Sequence, residues 1–539
     1  MKIRERIYKI IYVVIIMASL GLAIYFCDRK AGFYIDEYYT YTISNGTQLG
    51  IAIENGQWND TAPFYDQLVS TDGENFHFVQ TYLNTASDVH PPIYYFLVHL
   101  VSSIFSGVFS KWIGLSVNIM LLIPTLIFVN KLASLLFGKN SAASLFVTAF
   151  YGLSPATMSN SAFIRMYMLL SFWTVLYAYI HVKALRDDKP TAKGFLIPVF
   201  ITGFCGFLTQ YFFVVTMFFI TFVYAFYLLV FCKRVKDTLI YGATALMSLV
   251  STAAVWKYSK IHIFDGYRGK GAVEQMLGIE EYAGRTTAYI GYMNDQIFGG
   301  FLPLFAVFFV IGNVAVIAKC ASLKKAGQKL ILQSLPLHVK AIVMLEIASI
   351  LDFFVIAQIS LFAPIESCRF LFQAYSLFLI LIPSGLVMML RYATGRFGAT
   401  ERYRTLVPVI SAIFLALPVC LGYYKEQVLF LYENQNTVLN WIDGHPQAKM
   451  VLIQNDDGMY DTCISEYMKY PQIYVASVNE PDTIKDPELS KTGELLVYVS
   501  RQAQDEQACI DSVLSQNPQF SQAEPLWNSF DMFTAYYIH

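Results

Sequence analysis

"MKIRERIYKIIYVVIIMASLGLAIYFC" (residues 1–27) decides the fold. A basic head of Lys2, Arg4, Arg6 and Lys9 leads into an apolar run over 7–26. About 20 apolar residues cross the ~30 Å hydrocarbon core of a bilayer. A signal-peptide core has only about 7–15 and ends at a small-x-small cleavage site, a pattern that does not follow here. The stretch reads as an uncleaved first transmembrane helix, and the positive-inside rule puts its N-terminus on the cytoplasmic side.

Further apolar runs recur at 91–109, 112–130, 141–157, 166–184, 194–209, 211–231, 237–256, 300–318, 338–361, 370–391 and 405–423. Composition agrees, because only 14% of the 539 residues are charged against about 25% in soluble proteins. Mean hydropathy is +0.47. The basic linkers at 131–140, 181–193, 232–236, 319–329 and 391–404 are expected inside. The segments 27–90, 158–165, 257–299, 362–369 and everything after about 424 are then outside. One stretch does not fit this alternation. Between His90 and Lys131 lie two apolar runs where one net crossing is needed, so one run is expected to be re-entrant or non-spanning. The prediction is a polytopic α-helical membrane protein with about 11–13 membrane helices over residues 1–424.

The formal charge is −1, and the basic residues sit in short clusters between apolar runs, which excludes a nucleic-acid-binding face. Eight scattered cysteines form no Cys-x-x-Cys, so a zinc knuckle or redox dithiol is unsupported. Cys463 and Cys509 share a late polar region. They could pair in an oxidising compartment or stay as two buried thiols.

Three segments leave the membrane. The loop 27–90 is too long for a plain connector, and 257–299 carries Arg268, Lys270, Glu280, Glu281 and Arg285. In 425–539, "KMVLIQ", "QIYVAS", "ELLVYVS" and "MFTAYYIH" read as strands and "DEQACIDSVLSQ" as a helix. This predicts a small extracytoplasmic α/β domain.

The chemistry-bearing residues gather at the expected outer interface. In "GFYIDEYYTY" (32–41), Asp36 and Glu37 are either the solvated flank of a helix within an aromatic belt or a carboxylate base for an acceptor hydroxyl. In "SDVHPPIYYFLVHL" (87–100), Pro-Pro suits a helix start, and Asp88 and His90 could orient a substrate. "SPATMSNSAFIRMYMLL" (154–170) puts Arg165 and Tyr167 on the side where positive residues are disfavoured. Arg165 is a snorkelling side chain or a phosphate ligand. "FAPIESCRFLFQAYSLFLI" (362–380) offers Arg369 in the same way, unless it merely pairs with Glu366 at i, i+3. Glu346 and Asp352 lie inside an apolar run, where acids are functional candidates by default, although Ser349 or Gln358 could satisfy Asp352 as structural glue.

The order of these motifs resembles the GT-C glycosyltransferases, specifically bacterial relatives of protein O-mannosyltransferases and lipid A aminoarabinose transferases. The resemblance covers residues 1–230, including "FLTQYFFVV" (207–215), and thins beyond 240. It implies transfer of a sugar from a polyprenyl-phosphate donor to an acceptor glycan, lipid or protein on the extracytoplasmic face of a plasma membrane, by an inverting displacement. On the matching positions it implies Asp36 as base with Glu37 beside it, and His90 and Asp88 as substrate-orienting residues. Tyr167 and Tyr211 fall within the matching stretches as further substrate-binding residues. Arg165 and Arg369, with Arg268 or Arg285, would face the lipid phosphate. The paired acids that help hold a metal in the oligosaccharyltransferase branch are missing from "SNSAFIRMY", so no metal or other cofactor is expected. A secondary transporter or lipid flippase working through Glu346 and Asp352 is the alternative; it would carry repeated halves, and none is visible. A partner-binding assembly protein without chemistry is the third reading.

Overall fold

The computed structural model describes residues 2–47, 51–278, 281–325, 335–360, 366–395, 401–456, 459–480, 486 and 488–539. Seven helices among them are long and apolar enough to cross a bilayer: Ile3–Arg29, Lys111–Phe137, Tyr167–Asp187, Phe213–Phe231, Val235–Val255, Leu337–Ile359 and Ser367–Leu390. Tyr282–Phe298 and Leu302–Val314 make an eighth if taken as one span, bent by 92° at the break between them. Ile93–Ile104, Ala142–Gly152, Lys193–Phe207 and Val409–Tyr424 are shorter apolar helices. Between His90 and Lys131 lie one short and one long apolar helix. Ile93–Ile104 has 12 residues, about 18 Å of helix, which is too short to cross. Lys111–Phe137 has 27.

The chain packs as two compact units that interleave in sequence: Met1–Cys27, Thr85–Tyr94 and Gly114–Leu429 in one, Asp28–Asn84, Tyr95–Ile113 and Phe430–His539 in the other. The segment 425–539, expected as a domain of its own, thus shares nearly all its length with most of the 27–90 loop. The first unit is the helical one. Between its helices run buried polar contacts of the kind that hold membrane bundles together: the Tyr8 hydroxyl donates to Asn130 Oδ1 at 3.0 Å, and Asn130 Nδ2 donates to Thr148 Oγ1 at 3.0 Å.

The second unit is built on a six-stranded sheet: β1 (Gln57–Asp60), β2 (Lys449–Gln454), β3 (Gln472–Ser477), β4 (Leu495–Ser500), β5 (Ala523–Ser529) and β6 (Phe533–Ile538). The order is β1-β3-β2-β4-β6-β5, with β3, β2 and β4 parallel and the flanking pairs antiparallel. The parallel strands read as continuous apolar runs because both faces are covered. Met450 and Leu452 pack with Val438, Ile442 and Tyr467 on one face, and Val451 and Ile453 with Ile510 and Val513 on the other. Four strands and the helix Glu506–Gln516 fall where the apolar pattern places them. The pattern missed β1 and β5. Cys463 and Cys509 are free thiols.

Candidate active site

The helix Ile35–Asn45 presents Asp36 and Glu37 in its first turn. Glu37 fixes where that helix begins: its Oε2 accepts the Tyr34 N–H at 2.8 Å, the reciprocal half of a capping box. The same oxygen accepts from Lys30 Nζ at 2.9 Å, and both side chains are fully buried. Lys30 also donates to the Phe430 carbonyl at 2.6 Å and lies 5.3 Å from the Tyr432 ring. The stretch before the helix is clipped down further by Arg29, whose Nε and Nη2 reach Glu433 at 2.6 and 2.9 Å, and by the Ala31 N–H to Leu431 O at 2.8 Å. Glu37 is thereby committed to holding the helix start. Asp36, half-buried one residue earlier, sits where the helix dipole favours an anion.

Lys30 escaped sequence reasoning. Its signal was a basic residue in a segment expected on the outer side, where such residues are disfavoured. Removing it strands a buried carboxylate, and breaking a buried pair costs about 3–5 kcal/mol. Lys30→Ala is therefore expected to lower the thermal midpoint of the detergent-purified protein sharply. An unchanged midpoint would show the pair to be dispensable.

The helical unit holds the other predicted residues. Ser154 caps the helix Pro155–Ala162 by accepting the Thr157 N–H at 3.2 Å, with Pro155 opening the helix. A tight turn follows, the Arg165 N–H reaching Phe163 O at 2.8 Å, and leaves Arg165 only 3% exposed. Its Nη2 donates to His90 Nε2 at 3.4 Å, while His90 Nδ1 lies 2.7 Å from Asp88 Oδ2. A guanidinium only donates, so His90 Nε2 is the acceptor and its ring proton rests on Nδ1, given to Asp88. Burial opposes the Asp88 charge, but the interaction with His90 and, after it, the Arg165 guanidinium outweigh it and hold the carboxyl below its usual range.

Tyr211 plays a supporting part. Its hydroxyl accepts from Trp256 Nε1 at 2.9 Å and lies 2.8 Å from His262 Nδ1; His262 Nε2 reaches the Ala86 carbonyl at 3.1 Å. With a neutral imidazole, one proton arrangement satisfies all three bonds. Trp256 donates to Tyr211, Tyr211 to His262, and His262 to the backbone two residues before Asp88. Tyr211 therefore steadies the Asp88–His90 loop. His262 and Trp256 were not singled out from sequence, since a lone His or Trp near a helix end carries no pattern.

Arg369 is buried, its guanidinium 4.6 Å from the Phe370 ring. The Tyr167 ring lies 6.2 Å from that of Phe370, which joins the Arg165 and Arg369 segments through aromatic packing. The Glu366 side chain, and with it the proposed pair to Arg369, lies outside the described residues, as does Glu280. Arg285 is spent on carbonyls: it donates to Ala357 O at 3.3 Å and to Ser360 O, closing the C-terminal end of the helix Leu337–Ile359. Arg268 bonds the neighbouring Tyr267 hydroxyl at 3.1 Å.

Of the two intramembrane acids, Asp352 is fully buried and accepts from Thr216 Oγ1 at 2.8 Å. Thr216, rather than Ser349 or Gln358, is the group that binds it. Ser349 and Gln358 bond elsewhere, to Leu345 O and Thr286 Oγ1. Glu346 borders an apolar cavity of about 300 Å³ lined by Phe305, Asn313, Phe353, Phe378 and Met389.

Seven long apolar helices among the described residues and a small α/β sheet in the second unit define a multi-pass membrane protein, and its fold is of the GT-C type. One solved structure supports this fold. ArnT (lipid A aminoarabinose transferase) from Cupriavidus metallidurans in the apo state matches with a TM-score of 0.50 and 12% identity, covering 97% of each chain. ArnT from the same organism bound to undecaprenyl phosphate gives 0.46 at 12% identity over the same shares. The apo oligosaccharyltransferase of Archaeoglobus fulgidus gives 0.45 at 11% identity, covering 95% of this chain and 69% of that one. At these identities the likeness is one of fold. No family model matches the chain, and no curated protein matches it by sequence.

Proposed function

We propose that the protein is a glycosyltransferase moving a sugar from a polyprenyl-phosphate donor to an acceptor on the extracytoplasmic face. The observation that carries this reading is the Asp88–His90–Arg165 chain, a guanidinium buried at a helix entry and braced by an imidazole and a carboxylate. Its forked donors suit a phosphate oxygen. In the proposed step Asp36 takes the proton of the acceptor hydroxyl as that oxygen attacks the anomeric carbon. The bond from that carbon to the phosphate oxygen breaks, and its electron pair leaves on the polyprenyl phosphate. Arg165, with Arg369 as its partner, neutralises charge that develops on the leaving group, which is where such contacts accelerate most. A single displacement inverts the anomeric centre. Glu37 serves by fixing the helix that carries Asp36. The apolar cavity beside Glu346 offers room for part of a polyprenyl chain.

The transfer is proposed to need no metal. Asp88 and His90 are two possible ligands that meet, and among the described residues no third His, Cys, Asp or Glu joins them. Transfer measured with radiolabelled undecaprenyl-phosphate sugars in proteoliposomes is expected to survive excess EDTA. Loss of activity restored by a divalent cation would overturn this part. The transporter or flippase reading keeps one supporting observation, an acid bordering a membrane cavity. It predicts movement of intact substrate without loss of label from the lipid.

A further inference from the structure

The helix Ile35–Asn45 is docked on its own unit by two adjacent tyrosines. Tyr38, 1% exposed, accepts the Ser465 N–H at 3.2 Å and bonds the Ser465 hydroxyl. Tyr39 bonds Asp461. Directly after Ser465 comes Glu466, a fully buried acid. Its Oε1 accepts from Gln435 Nε2 at 2.6 Å and from Ser529 Oγ at 3.5 Å, while its buried Oε2 has no hydrogen-bond partner. Gln435 in turn lies against Gly32 so closely that a Cβ there would sit 3.0 Å from the Gln435 Cβ and 2.9 Å from the Tyr432 Cβ. The Glu466 segment thus reaches the chain on either side of Asp36, through Gln435 packed on Gly32 four residues before it and through Ser465 bonded to Tyr38 two residues after.

A buried carboxylate with one oxygen unmatched is expensive when charged and acceptable when protonated. A core that needed only shape would place a Gln or a hydrophobe there. We propose that Glu466 and Tyr38 are positioning residues that hold the Asp36 carboxylate in place, and that this grip is firm when Glu466 is protonated and loosens when it is charged. The inference rests on the reading of Asp36 as base.

The titratable groups that feel Glu466 electrostatically are Tyr38, Cys463, Tyr467 and Tyr498, whose ionisation burial pushes upward. Asp461, held at about 6 mainly by burial, touches the same helix through Tyr39. Burial raises Glu466 from 4.5 to about 7. A raised carboxyl favours the docked state fully below its ordinary value, and that contribution is lost as pH climbs through about 7.

The test uses the full-length protein in nanodiscs. Hydrogen exchange of the Ile35–Asn45 segment, corrected for the intrinsic rate, is followed at pH 6 and pH 8. Wild type is expected to lose about tenfold protection between them, the change that one linked proton gives over this window. Glu466→Gln, which mimics the protonated acid, should keep its protection at pH 8. Tyr38→Phe should be loose at both values. Strand β3 should hold its protection throughout. If Glu466→Gln loses protection as wild type does, or wild type loses none, the inference falls; Asp461→Asn run alongside shows whether that acid is responsible instead. The pH profile of transfer is the second readout. Glu466→Gln should remove the decline in kcat above pH 7 without moving the donor KM, and an unchanged profile would overturn the inference. Asp36→Asn in the same assay reports separately: an active Asp36→Asn refutes the base, whatever the exchange data show.

Discussion

Asp36→Asn is expected to slow transfer by at least about a hundredfold while leaving the donor KM near its wild-type value. Removing a positioned general base costs 10²–10⁴ in rate, or about 3–5 kcal/mol of transition-state stabilisation. Asn keeps the shape of Asp and remains acceptable in a first helical turn, so the helix Ile35–Asn45 should stay in place. Its start is set by Glu37 and Lys30, which the substitution leaves intact. What disappears is the capacity to take the proton of the acceptor hydroxyl. The effect should therefore fall on kcat, since donor binding is assigned to Arg165 and Arg369. A transporter working through Glu346 and Asp352 would be indifferent to this change. The measurement is release of label from undecaprenyl-phosphate sugars by wild-type and variant protein at equal reconstituted density. Equal rates would remove Asp36 from the mechanism.

The membrane part of the fold was legible because apolar periodicity and basic linkers are strong, local signals. Length bears on the one ambiguity they left, since Ile93–Ile104 is shorter than a bilayer span. The parallel strands β2, β3 and β4 announced themselves for the same reason: a strand buried on both faces must be an apolar run. β1 did not, because "QWND" is a short polar edge strand whose partner β3 lies more than 400 residues further on. Nothing local encodes such a pairing. β5 hides behind Pro525 and a register shift, features tolerated only at an edge. The site divides in a similar way. Asp88, His90 and Arg165 were visible as polar residues at helix entries, and they do meet. Tyr211 was also visible, but its hydroxyl is committed to Trp256 and His262, a support network that only tertiary structure reveals. Glu37 and Lys30 show the limit most clearly. A pair of adjacent acids gives no hint of which one holds the helix start, and Glu37 is tied down by a lysine seven residues before it.

Arg165 offers the sharpest test of the phosphate reading, because two substitutions separate charge from geometry. Arg165→Ala removes a donor aimed at the developing negative charge, a loss worth about 10²–10³ in kcat. Arg165→Lys keeps the charge but presents a point donor instead of a planar fork, and should fall between wild type and Ala. If Arg165 served only to brace His90, the outcome would differ. The His90–Asp88 bond at 2.7 Å stands without it, so a bracing arginine should be replaceable at modest cost, and affinity for sugar-free undecaprenyl phosphate should not change. A phosphate ligand predicts the opposite, with weaker binding of that lipid in the order wild type, Lys, Ala and a parallel fall in transfer. Asp88 adds an internal control. Arg165 is one of the groups holding its carboxyl below the ordinary 3.8. A lowered carboxyl gives stability that is present above its ordinary value and lost as pH falls through the lowered one. Arg165→Ala should therefore lose part of the wild type's acid tolerance, read as the thermal midpoint between pH 5 and pH 3. Full retention of transfer and lipid affinity in Arg165→Ala would end the phosphate assignment. A loss of acid tolerance alone would leave Arg165 as a structural partner of Asp88 and His90.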